Sequence, residues 1–212
     1  MTLVKICGIK NEQTLGLLSE CGVDYAGFVF APSKRQVTAA AVGEMLRAVS
    51  QHPPAVGVFV NPTLEELTQV LAEAPLAVIQ LHGQETPAFC QEVKERFSLP
   101  VWKAVAVGKE GDMADRLAAY AATVDAFLFD TYDPAQAGGT GKRFTWGEIP
   151  GLRSACRGVK EVIAGGIHAG NVTELIARYQ PAVIDLSSGV ETDGEKDEQK
   201  IRELMERVKG HG

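Results

Sequence analysis

Cys7, Arg35, His82 and Asp130 are the side chains of this sequence whose types suit proton-transfer chemistry on an anionic substrate. A thiol with a pKa near ~8.5 can be shifted toward neutral and work as a general base. A desolvated carboxyl can keep its proton and work as a general acid. A guanidinium grips a carboxylate through two parallel hydrogen bonds. Each residue also has an ordinary structural role open to it. Free cysteines usually pack as small hydrophobes, the reading given to Cys21, Cys90 and Cys156. Asp130 could cap the turn Thr131-Tyr132-Asp133-Pro134. Arg35 could be a solvated loop charge, and His82 a hydrogen-bonded structural histidine. Two further pieces, Gly165-Gly166 and Ser187-Ser188-Gly189, suit an anion, because small residues let backbone N–H groups approach it closely. Either turn alone could simply end a strand; two together favour phosphate.

The elements that must position these groups alternate along the whole chain. Strand-like runs begin near Leu3, Asp24, Ala55, Ala77, Pro100, Asp125, Lys160 and Ala182. They are almost continuously apolar, as strands buried on both faces are. Helical patterns lie between them: Val42, Met45, Leu46 and Val49; Val172, Leu175, Ile176 and Tyr179; Ile201, Leu204, Met205 and Val208. Thr63 with Glu66 reads as a capping box, and Thr86-Pro87 as an N-cap followed by a first-turn proline. Eight strand–helix units predict an α/β fold, a single-domain (β/α)8 TIM barrel over residues 1–212. An open doubly wound sheet is the alternative, but no G-x-G-x-x-G follows the first strand.

A barrel places its active site at the C-terminal ends of the strands, with phosphate commonly held after strands 7 and 8. Cys7 ends strand 1, Arg35 follows strand 2, His82 ends strand 4 and Asp130 ends strand 6. Gly165-Gly166 and Ser187-Ser188-Gly189 follow strands 7 and 8. Strand alternation then sends Lys5 inward one layer below Cys7. A buried ammonium needs a partner, and Asp185 on strand 8 is the expected one.

Composition removes other classes. A formal charge of −6 and a pI near 5.3 argue against a nucleic-acid footprint. No apolar run approaches the ~18 residues of a spanning helix, so no membrane partner is expected. The four cysteines form no C-x-x-C pair, which argues against structural zinc and a disulfide framework. With no signal pattern at Met1–Lys5, a cytoplasmic location is the default.

A longer set of pieces begins with Val4-Lys5-Ile6-Cys7-Gly8, Gly27-Phe28-Val29-Phe30, Ser33-Lys34-Arg35, Val56-Gly57-Val58-Phe59 and Gln80-Leu81-His82-Gly83. It continues through Gly138-Gly139-Thr140-Gly141 with Phe144 and Trp146, Ala164-Gly165-Gly166, and Asp185-Leu186-Ser187-Ser188-Gly189-Val190-Glu191. The pieces are ordered and together specific, and through them the chain closely resembles the phosphoribosylanthranilate isomerase family of tryptophan biosynthesis. One departure is Ala169, where the family often has proline. The resemblance implies a (β/α)8 barrel and an Amadori rearrangement of N-(5-phosphoribosyl)anthranilate to the aminoketose. It implies Cys7 as general base, Asp130 as general acid, and Arg35 on the anthranilate carboxylate. Backbone amides near Gly166, Ser188 and Gly189 would hold the phosphate of this small phosphosugar. Gly165, Ser187 and His82 complete the expected substrate-binding set by position. That chemistry uses an iminium as electron sink and calls for no cofactor or metal.

Overall fold

A computed structural model describes residues 1–107, 113–131 and 145–210. Eight parallel strands close into a barrel in chain order. They are β1 (Leu3–Cys7), β2 (Tyr25–Val29), β3 (Ala55–Phe59), β4 (Val78–Leu81), β5 (Val101–Val107), β6 (Ala126–Thr131), β7 (Lys160–Ile163) and β8 (Val183–Leu186). The closing pair, Leu3↔Val183 through Ile6↔Leu186, excludes the open sheet. Helices α1 (Glu12–Cys21), α2 (Ala39–Ala48), α3 (Leu64–Glu73), α4 (Pro87–Phe97), α5 (Met113–Tyr120), α6 (Ile149–Ala155), α7 (Ala169–Tyr179) and α8 (Glu198–Lys209) alternate with the strands. No helix among the described residues is long and apolar enough to cross a membrane. Residues 108–112 and 133–143, whose composition reads as loop, lie outside the described residues, as does the Gly138–Gly141 motif.

Local sequence sets the helix starts. Thr63 accepts from the Glu66 backbone N–H while the Glu66 carboxylate accepts from the Thr63 N–H, the expected reciprocal cap. Thr86 caps α4 ahead of Pro87. His168 caps α7 together with Asn171.

The strands' two faces separate two cores. One side, with Val4, Ile6, Phe127, Phe129, Ile163 and Ile184, packs against the helices. The other, with Val56, Val78, Trp102, Ala126, Leu128, Val162 and Val183, fills the barrel interior. Because side chains alternate, the interior row on β6 runs Ala126, Leu128, Asp130. On β1 it runs Leu3, Lys5, Cys7, and on β8 it runs Val183, Asp185, Ser187. The interior is therefore apolar below and polar at the C-terminal rim.

A short antiparallel hairpin follows β8: β9 (Glu191–Thr192) pairs with β10 (Glu195–Lys196). Its two-residue turn, Asp193-Gly194, has positive φ at both positions, 52° and 84°.

Candidate active site

The C-terminal rim opens into a cavity of about 240 Å³. Cys7, Arg35, His82, Asp130, Gly165, Gly166, Ser187, Ser188 and Gly189 all line it. Every side chain and turn expected from sequence at the site thus faces one space. Asp185 and Gln80 share that lining, and sequence reasoning did not place Gln80 there.

Lys5 is fully buried and donates to both Asp185 carboxylate oxygens at 2.9 Å, as expected from the barrel's closure. Burial pulls the ammonium down, but Asp185 and the Cys7 thiol outweigh it and hold Lys5 above the ordinary lysine value. On Asp185 burial is the stronger influence and pushes its pKa up against Lys5. The two-pronged contact favours the ionised pair.

Cys7 lies deep in the rim, and burial raises its thiol above the ordinary value. Lys5 and Lys196 pull it down and Asp185 adds to the rise, so burial prevails.

Arg35 is held by the chain itself. Its Nε and Nη2 donate to the Glu191 carboxylate at 2.8 and 2.7 Å, a two-pronged pair. Lys196 Nζ donates to the same carboxylate at 2.6 Å and to the Ser187 carbonyl at 3.1 Å. The Ser187 hydroxyl donates to the Cys7 carbonyl at 3.0 Å, tying the hairpin's start to the end of β1. Burial pushes Glu191 up, but hydrogen bonds from Arg35 and Lys196 overcome it and hold the carboxyl at about 2. The pair therefore survives as pH falls past the ordinary glutamate range. Glu191 and Lys196 were not singled out as site residues. The Asp193-Gly194 pair was the available signal, since it marks a tight hairpin that returns Lys196 to Glu191.

His82 is neutral in this setting. Burial, aided by Lys103 and Lys5, lowers its pKa to about 4. The Gln80 amide Nε2 lies 3.1 Å from Nδ1. With Gln80 donating there, the ring proton sits on Nε2. The loop carrying His82 is pinned from below. Glu85 accepts from the Asn61 and Gly83 N–H groups at 2.8 and 3.0 Å and pairs with Lys103 at 3.1 Å. Lys103 in turn donates to the Gly83 carbonyl at 2.9 Å.

The opposite wall is the glycine turn after β7. Gly165 and Gly166 have φ of 87° and 63°, conformations that keep a side chain out and leave the backbone open. Asn171 fixes the turn by donating to the Gly166 carbonyl at 2.9 Å. The site thus combines a thiol, a carboxyl, a guanidinium and an exposed-backbone turn around one small cavity. That set can hold an anion at one end and move protons at the other.

Comparison with known proteins gives the same direction. The N-(5'-phosphoribosyl)anthranilate (PRA) isomerase family model matches residues 4–207. The N-(5'-phosphoribosyl)anthranilate isomerase of Brevibacillus brevis is 66% identical over 211 residues, covering 100% of this chain and 95% of that one. The crystal structure of phosphoribosyl anthranilate isomerase from Thermus thermophilus has a TM-score of 0.85 at 32% identity, covering 99% of each chain. A phosphoribosyl anthranilate isomerase in complex with reduced 1-(o-carboxyphenylamino)-1-deoxyribulose 5-phosphate has a TM-score of 0.83 at 34% identity, covering 99% of this chain and 100% of the other.

Proposed function

The chain belongs to the N-(5'-phosphoribosyl)anthranilate isomerase family of tryptophan biosynthesis, and on that premise we propose how its own residues carry the reaction. In this reading Asp130 gives a proton to the ribose ring oxygen. The ring opens to an iminium between C1 and the anthranilate nitrogen. Cys7 takes the proton from sugar C2, and the electron pair moves into the iminium. The resulting enolamine tautomerises to the ketone. The aldosylamine has become an aminoketose within a single barrel domain spanning residues 1–212, with no cofactor.

The raised thiol is compatible with this role. The iminium is a positive charge that forms next to Cys7 during the reaction, and a nearby cation favours the thiolate. Lys5 and Lys196 supply two more cations on the protein side. Arg35 would bind the anthranilate carboxylate, and the neutral His82 would offer its Nε2–H to the substrate. Backbone N–H groups of Gly165, Gly166, Ser187, Ser188 and Gly189 would hold the phosphate. Grip at that remote end orients the reacting carbons.

The observation that carries the reading is the convergence of Cys7, Asp130 and Arg35 on one cavity walled by the two small-residue turns. It is tested by following loss of anthranilate fluorescence with freshly formed phosphoribosylanthranilate. Wild type is expected to exceed the spontaneous rate. Cys7→Ala and Asp130→Asn are each expected to lower kcat by roughly 10²–10⁴-fold with little change in KM. Near-normal kcat in Cys7→Ala would refute the base assignment. A location in the cytoplasm and a partner set limited to this small phosphosugar substrate, without nucleic acid or membrane, complete the proposal.

A further inference from the structure

We propose that Glu191 is a positioning residue for substrate recognition: it holds Arg35 by one edge so that the other edge of the guanidinium receives the substrate carboxylate. The inference rests on the proposed role of Arg35.

A guanidinium can bind a carboxylate side-on through Nε and one terminal nitrogen, or end-on through both terminal nitrogens. Glu191 occupies the side edge. Among the described residues Nη1 has no partner, and Arg35 lines the cavity. The end edge is thus the one left for a ligand. Glu191 itself is anchored and not a loose competitor for Arg35. Its carboxylate takes Lys196 Nζ at 2.6 Å and its carbonyl accepts from Lys200 Nζ at 2.6 Å. Its side chain is only 7% exposed and that of Lys196 only 4%. The aliphatic stem of Arg35 lies close over Gly8, where a Cβ would fall 2.4 Å from Arg35 Cδ.

Charge agrees with geometry. Arg35 and Lys196 contribute two positive charges and Glu191 one negative, so the cluster keeps a net positive charge beside the cavity. An incoming carboxylate neutralises it. A structure in which Glu191 had to leave would instead give up two charge-assisted bonds before binding any substrate.

The test is steady-state kinetics of full-length wild type, Glu191→Gln, Glu191→Asp, Arg35→Ala and the Arg35→Ala/Glu191→Gln double variant. Affinity for inorganic phosphate is measured alongside. For Glu191→Gln, KM is expected to rise about tenfold or more, the scale of one charge-assisted contact, with kcat within about threefold. Phosphate affinity should be unchanged, which general damage to the barrel would not allow. Glu191→Asp should recover part of the lost KM and covers the case in which Glu191→Gln does not fold. In the Arg35→Ala background, Glu191→Gln should add nothing, because its effect passes through Arg35. An unchanged or lower KM in Glu191→Gln, or full additivity with Arg35→Ala, would overturn the proposal while leaving the isomerase reading intact. Wild type without activity on phosphoribosylanthranilate would overturn both.

Discussion

At the scale of single residues, two protonation states decide what the site can do. The Cys7 thiol sits above its ordinary value because burial outweighs its ammonium neighbours. Its alkylation by iodoacetamide should therefore keep rising beyond pH 9, and Lys196→Met should push the profile higher still by removing one of those neighbours. Peptide mapping by mass spectrometry separates Cys7, which lines the cavity, from the buried Cys21, Cys90 and Cys156. A midpoint below 9 would show that the two lysines prevail over burial. His82 behaves in the opposite sense, since burial and two cations lower it. Its imidazole resonances should titrate near 4 and not near 6.5. Between those values the unfolded chain takes up a proton that the folded one refuses, so this residue's contribution to stability is full above 6.5 and is lost as pH falls toward 4. A midpoint above 6 would mean that Gln80 does not hold a neutral ring.

At the scale of elements, the site depends on how closely β1 and β2 approach. Cys7 is paired in register with Gly27, and a Cβ at Gly27 would lie 2.8 Å from Cys7 Sγ and 2.9 Å from Cys7 Cα. The second contact is with backbone, which cannot swing aside. Gly27→Ala should therefore cost about 1–3 kcal/mol in denaturant unfolding and depress kcat by displacing the thiol. Unchanged stability and kcat would mean that the strands give way freely. These strands were legible in the sequence because a parallel barrel strand is buried on both faces and appears as an unbroken apolar run. Strand order and the rim rule then assigned Cys7, Arg35, His82 and Asp130 to one mouth. The hairpin after β8 was not read, although Asp193-Gly194 marks it. Its strands are two residues each and polar, so they carry no hydrophobic period. Glu191 and Lys196 were missed for the same reason. Glu191 matters through its contact with Arg35, 156 positions away in sequence, and Lys196 through Glu191; the contact with Arg35 exists only once the barrel closes.

At the scale of the whole molecule, closure is also where fold and chemistry meet in one ion pair. Lys5 and Asp185 sit in register on the first and last strands, and their side chains join across the polar layer of the interior. Removing the ammonium alone, by Lys5→Met, leaves a carboxylate with little solvent access and without its bound cation. Breaking a buried pair in this way costs about 3–5 kcal/mol, or on the order of 10 °C in Tm for a domain of this size. Replacing both partners, by Lys5→Met with Asp185→Leu, removes the stranded charge and should recover most of that loss, since apolar residues of similar volume often match a buried ion pair. Activity should not return with stability. The double variant still lacks the ammonium that favours the Cys7 thiolate and the carboxylate that lines the cavity. Differential scanning calorimetry and the fluorescence assay on the same two proteins therefore separate the pair's two roles. A double variant as unstable as Lys5→Met would assign the pair to packing, and one with restored kcat would remove Lys5 from the chemistry.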